Sequence, residues 1–158
     1  MPKLPLIYAA LAAAMIVPNV AKARPKSTVV EEKLIDRCIR RSARGKAWLE
    51  QALSALRDQE GGWIGAQVQN RNGSYDLGPM QINSWWVIRF ANILHRSPSH
   101  VQHLLKKNAC FNVEAARYIL LNELDRSGNI WIAIGRYHSR VWWRQRPYVV
   151  AVSAHFHP

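Results

Sequence analysis

Cysteine is scarce in this 158-residue chain: there are two, too few for a disulfide scaffold, and neither sits in the paired C-x-x-C spacing of a zinc site. Acidic residues are few as well, 10 against 22 Lys plus Arg. The formal charge is therefore +12, which favours an anionic partner such as nucleic acid, a membrane surface or a wall polymer. No internal repeat, low-complexity tract or long Pro/Gly/Ser linker divides the chain, which excludes a solenoid and speaks against two domains. Nor is there a run of the roughly 18 apolar residues that a membrane span needs. What is present is 49% apolar residues, the composition of one globular domain.

The N-terminus carries the longest apolar stretch, Leu4 to Val17, preceded by Lys3, ended by Pro18 and followed by the small-residue site Ala21-Lys22-Ala23. That order is the pattern of a secretory signal peptide, expected over residues 1–23, with a mature domain over 24–158 and no stable membrane span after cleavage. The mature chain would keep 20 basic and 10 acidic side chains, since only Lys3 and Lys22 are removed. An exported protein has little access to nucleic acid, so nucleic acid is not an expected partner.

Helical periodicity dominates the rest. Val29 to Arg41 places Val30, Leu34 and Cys38, with Ile35 and Ile39, at helical spacing. Lys46 to Gln59 places Leu49, Ala52, Leu53 and Leu56 on one face and should stop at Gly61-Gly62. Glu60 continues that apolar stripe, where a carboxylate is unusual. The helical pattern lapses from Gln67 to Leu77, and Asn72-Gly73 marks a β-hairpin or structured loop. Gly78-Pro79 is expected to open a helix running through Ile82, Trp86 and Phe90. Ser97 should cap Pro98–Lys107, Asn112 should cap Val113–Arg126, and Asn129 should cap a helix from Ile130 to about Ser139. Tyr148 to Phe156 reads as a last short helix or strand.

Three blocks carry the chemistry: Glu60-Gly61-Gly62, then Asn70 through Asn83 (NRNGSYDLGPMQIN), then Ala133-Ile134-Gly135-Arg136-Tyr137-His138-Ser139. In content and order they resemble the lytic transglycosylase SLT domain, and most of all its small single-domain branch associated with secretion, conjugation and pilus machines. The first block and the Gly73-to-Gly78 run are also similar to the active-site region of c-type animal lysozymes, of the same fold superfamily. The resemblance spans residues 34 to 150 and implies an all-α lysozyme-like domain with a minor β-hairpin. It further implies cleavage of the MurNAc–GlcNAc β-1,4 bond of peptidoglycan, with Glu60 as the acid and no cofactor. A poor leaving oxygen must be protonated, and an acid buried among Leu49, Leu53, Leu56 and Trp63 would keep its proton near neutral pH.

Asp76 stands where lysozymes carry a second carboxylate. Two roles are open for it, stabilising the sugar cation or capping the expected Gly78-Pro79 helix. The resemblance further implies that Gln81 and Asn83 reach sugar hydroxyls or the acetamido group, that Met80 lines the cleft, and that Tyr137 contacts the carboxyl or acetamido group. Tyr75, His138 and Ser139 are further substrate-binding candidates. Gly61, Pro79 and His138-Ser139 depart from the family's more frequent Ser, Leu and Asn-Ala.

Of the seven Trp residues, Trp63 and one of Trp142 or Trp143 are candidates for the cleft, and Trp48, Trp86 and Trp131 are expected in the core. His100 with His103, or His155 with His157, lack further ligands to complete a set, so no metal is expected. As the only thiols of a chain expected in the oxidising periplasm or cell envelope, Cys38 and Cys110 should form one disulfide from the first helix to the residues just ahead of the Asn112 helix. The expected partners are peptidoglycan glycan strands and subunits of a secretion, conjugation or pilus machine. The rival readings are a muramidase using Glu60 and Asp76, and an inactive cationic wall-binding or adaptor protein.

Overall fold

The computed structural model describes residues 27–156, so the expected signal peptide lies outside the described residues. Thr28 starts α1 (Val29–Ala43) through a capping box: its side chain accepts from Glu31 N, and Glu31 accepts in return from Thr28 N. Ile35, Cys38, Ile39 and Ala43 are its buried stripe. Val30 and Leu34, expected to share that stripe, face outward. α2 (Ala47–Glu60) buries Leu49, Ala52, Leu53 and Leu56 as their spacing predicts, and Gly61 ends it in the left-handed conformation, φ 56°.

A three-stranded antiparallel sheet follows in the order β1 (Gln67–Gln69), β2 (Tyr75–Leu77), β3 (Ile82–Asn83). Val68 pairs with Asp76 and Asp76 in turn with Asn83, which makes β2 the central strand. The Asn70–Ser74 turn joins the first two strands, closed by Asn70 N–H to Ser74 O at 2.8 Å. Here the structure corrects one expectation: Gly78-Pro79 opens no helix. Gly78 (φ 67°) and Gln81 (φ 48°) are both left-handed, which a right-handed helix cannot accommodate, and the chain doubles back into β3.

Five helices complete the described residues: α3 (Trp86–Leu94), α4 (Pro98–Lys107), α5 (Ala109–Ser127), α6 (Ile130–His138) and α7 (Trp142–Ser153). Ser97 caps α4 and Asn129 caps α6, as their positions predict. Asn108, not Asn112, caps α5, so that helix begins four residues earlier than expected. α7 also begins early, six residues before Tyr148, because it runs through Pro147, a residue that ordinarily argues against a helix interior.

The core is one cluster of apolar residues drawn from α1 to α7 and the sheet, with Ile35, Leu49, Leu53, Leu56, Leu77, Leu120 and Ile134 fully buried. Cys38 and Cys110 form a disulfide that ties α1 to the first turn of α5, within that helix and not ahead of it. Trp86 packs on Phe90 and Tyr118, with ring centroids 5.7 and 6.4 Å away. Trp48 and Trp131 do not join the core and are 42% and 41% exposed, Trp131 leaning on Phe156. The architecture is mostly α-helical with one small sheet, and no helix among the described residues is long and apolar enough to cross a membrane.

Candidate active site

Glu60 is the last residue of α2, carried to that position by the apolar stripe below it. Gly62 then lets the chain press against the turn between β2 and β3. A Cβ there would stand 2.3 Å from Gly78 O and 2.7 Å from Gln81 Nε2, so only glycine fits so close an approach. This contact brings the end of α2 against the sheet and sets the Glu60 carboxyl within electrostatic reach of Asp76 in β2. The Tyr148 hydroxyl, from α7, donates to Glu60 Oε1 at 2.5 Å.

Burial pushes the Glu60 carboxyl up to about 7, and Asp76 adds to that push, while the Tyr148 hydrogen bond works against it. Burial and the neighbouring Glu60 likewise raise the Tyr148 and Tyr137 phenols above their usual range, so both remain hydrogen-bond donors. The result is an acid that is half protonated near neutrality, framed by two neutral phenols and a second carboxyl group. Such an acid can deliver a proton to a leaving group and take one back.

Asp76 caps no helix. Its Oδ1 accepts from Asn83 Nδ2 across the strand pair at 2.9 Å, and the same amide donates to Ser74 Oγ at 2.9 Å. Asn83 therefore orients Asp76. Tyr137 donates its hydroxyl to Met80 O at 2.9 Å, which fastens α6 to the β2–β3 turn beside Glu60. Met80 itself is fully buried, so its side chain belongs to the core beneath the site and lines no cleft. Gln81 turns its amide inward, Nε2 to Gly78 O at 2.8 Å, and braces the turn. Tyr75 is half-buried against the core, with its backbone N–H held by Ser84 Oγ.

His138 stacks flat on the Tyr148 ring, 4.3 Å between centroids and 8° between planes, and burial lowers its pKa. Ser139 is a turn residue: its Oγ accepts from Val141 N and its carbonyl from Gln145 Nε2. Trp63 is half-buried, whereas Trp142 and Trp143 are exposed. Among the described residues no group of three or more His, Cys, Asp or Glu could hold a metal, and His157 lies outside them.

Sequence reasoning gives two residues that matter here no part in the site, Asn112 only as a helix cap and Tyr148 only as the start of the last element. Tyr148 lies 88 positions from Glu60, in a segment whose only inward-facing signal is the pair Tyr148 and Val152 at helical spacing. Asn112 is fully buried inside α5, where it accepts from Met80 N at 2.7 Å and donates to Leu77 O and Leu105 O at 2.8 Å each. It welds α5 and α4 to the turn that shapes the site. Comparison with known proteins finds no matching family model and no matching curated protein, so the sequence blocks and this geometry are what characterise the site.

Proposed function

We propose that the protein is an exported peptidoglycan lytic transglycosylase that opens the wall locally for a secretion, conjugation or pilus machine. The observation that carries this reading is the Glu60 carboxyl, half protonated near neutrality at the junction of α2 and the sheet and hydrogen-bonded by Tyr148. Because Tyr148 occupies Oε1, Oε2 is the oxygen that carries the reacting proton. Glu60 donates it to the glycosidic oxygen as the C1–O bond breaks, and the GlcNAc hydroxyl leaves. The cation at MurNAc C1 is stabilised by its own acetamido oxygen and by the Asp76 carboxylate. Glu60, now anionic, takes the proton of the 6-hydroxyl as that oxygen bonds C1, which closes the 1,6-anhydro ring and restores the acid.

An attacking hydroxyl on the same sugar is favoured over bulk water, with effective concentrations on the order of 10⁵ M in well-oriented cases. The orientation of Asp76 by Asn83 favours a second reading, a muramidase in which water ends the reaction. The basic surplus of the chain suits a substrate with carboxylate-bearing stem peptides, and the disulfide suits an oxidising compartment. Zymography on purified sacculi tests the reading: the wild type should clear the gel and Glu60→Gln should not. Equal clearing by both would remove Glu60 from the chemistry, and clearing by neither would leave the wall-binding adaptor.

A further inference from the structure

From Arg126 to Pro158 the chain has no acidic residue but contains five arginines. Arg126 and Arg136 lie 4.0 Å from the Glu123 carboxylate. The other three, Arg140, Arg144 and Arg146, are exposed and have no acidic partner among the described residues. Between them stand Trp142 and Trp143, 69% and 62% exposed, ring against ring with centroids 5.8 Å apart. Tyr148 and Val152 turn inward, so the outer stripe of α7 is Trp143, Arg146, Pro147 and Val150, the last 68% exposed. This is a reversed amphipathic pattern: large apolar groups stand on the solvent side, interleaved with unpaired cations.

We propose that the outer face of α7 docks on an anionic lipid bilayer, with Trp142 and Trp143 seated at the interface and Arg140, Arg144 and Arg146 against headgroup phosphates. Indole rings prefer the water–lipid boundary, and stable attachment of a protein that does not span the bilayer needs an apolar contact and a basic patch together. Both occur on this one face. A glycan or a soluble polyanion would satisfy the rings or the cations alone. Neither accounts for Val150, which carries the apolar stripe about 10 Å further along the helix. Docking here would hold an exported protein at the membrane side of the wall.

The test is co-sedimentation of the full chain with vesicles of phosphatidylglycerol and phosphatidylethanolamine, with phosphatidylcholine vesicles as the neutral control. Two variants are compared with the wild type, so that the N-terminal apolar run is common to all three. Arg140→Gln/Arg144→Gln/Arg146→Gln should bind the anionic vesicles about a hundredfold more weakly at low salt, at about fivefold per cation. Trp142→Ala/Trp143→Ala should bind more than about tenfold more weakly and lose the vesicle-induced blue shift of tryptophan emission. Binding by either variant within twofold of wild type would overturn the proposal. So would a Trp variant that keeps its vesicle binding but no longer binds purified sacculi, which would make the face a glycan site.

Discussion

At Glu60, burial and a tyrosine act in opposite directions on one proton, and the pH dependence follows from their balance. In the proposed reaction the acid works protonated, and Glu60 titrates at about 7, so cleavage should fall as pH rises through that value, as a rate–pH profile would show. Tyr148→Phe removes the bond that lowers the Glu60 pKa, so the alkaline limb of the profile should move to higher pH. A limb that stays in place or moves to lower pH would mean that another group sets it. The same proton bears on stability. The folded carboxyl titrates above its ordinary value of 4.5, so the folded state binds more protons between 4.5 and about 7. Stability therefore declines over that window as pH rises, by up to about 3 kcal/mol. Glu60→Gln should flatten this part of the curve, measured by urea unfolding at a series of pH values.

Among the elements, the β2–β3 turn is the one on which the site depends. A Cβ on Gly78 would meet Leu105 O at 2.2 Å and Asn112 Nδ2 at 2.6 Å, at a left-handed φ. Gly78→Ala should accordingly cost more than about 3 kcal/mol, read from the urea midpoint. Asn112→Ala leaves Met80 N–H and two carbonyls without their partner and should cost about 2–4 kcal/mol, with wall cleavage reduced as the turn loosens. These residues also show where sequence reasoning reaches and where it stops. Thr28, Ser97 and Asn129 act within three residues of themselves, and for Ser97 and Asn129 the caps were legible from local order alone. Pro79 and Asn112 also carry local cap signals, but long-range contacts decide their conformation: the close approach of Gly62 to Gly78, and three hydrogen bonds from Asn112 to distant backbone. Glu60 and Asp76 stood out in short motifs. Tyr148 did not, because only the packing of α7 on α2 brings it to the carboxyl.

For the whole molecule, the Cys38–Cys110 bond closes a loop of sequence separation 72 and restrains the unfolded chain by about 4 kcal/mol in the loop-entropy account. Cys38→Ser/Cys110→Ser should lower stability by about that amount while the Glu60 site stays assembled, since the bond joins α1 to α5 whereas Glu60, Asp76, Tyr137 and Tyr148 stand on α2, β2, α6 and α7. A loss of activity larger than the loss of folded protein would contradict this separation of scaffold from site. The proposed reaction needs Glu60 as the acid and the sugar's own hydroxyl as the nucleophile. Mass spectrometry of the muropeptides released from purified sacculi tests both at once. Wild type should release ends lighter by one water than hydrolysed ends, the mark of the 1,6-anhydro ring, and Glu60→Gln should release none. Release of mainly full-mass reducing ends, or equal release by the two proteins, would contradict it.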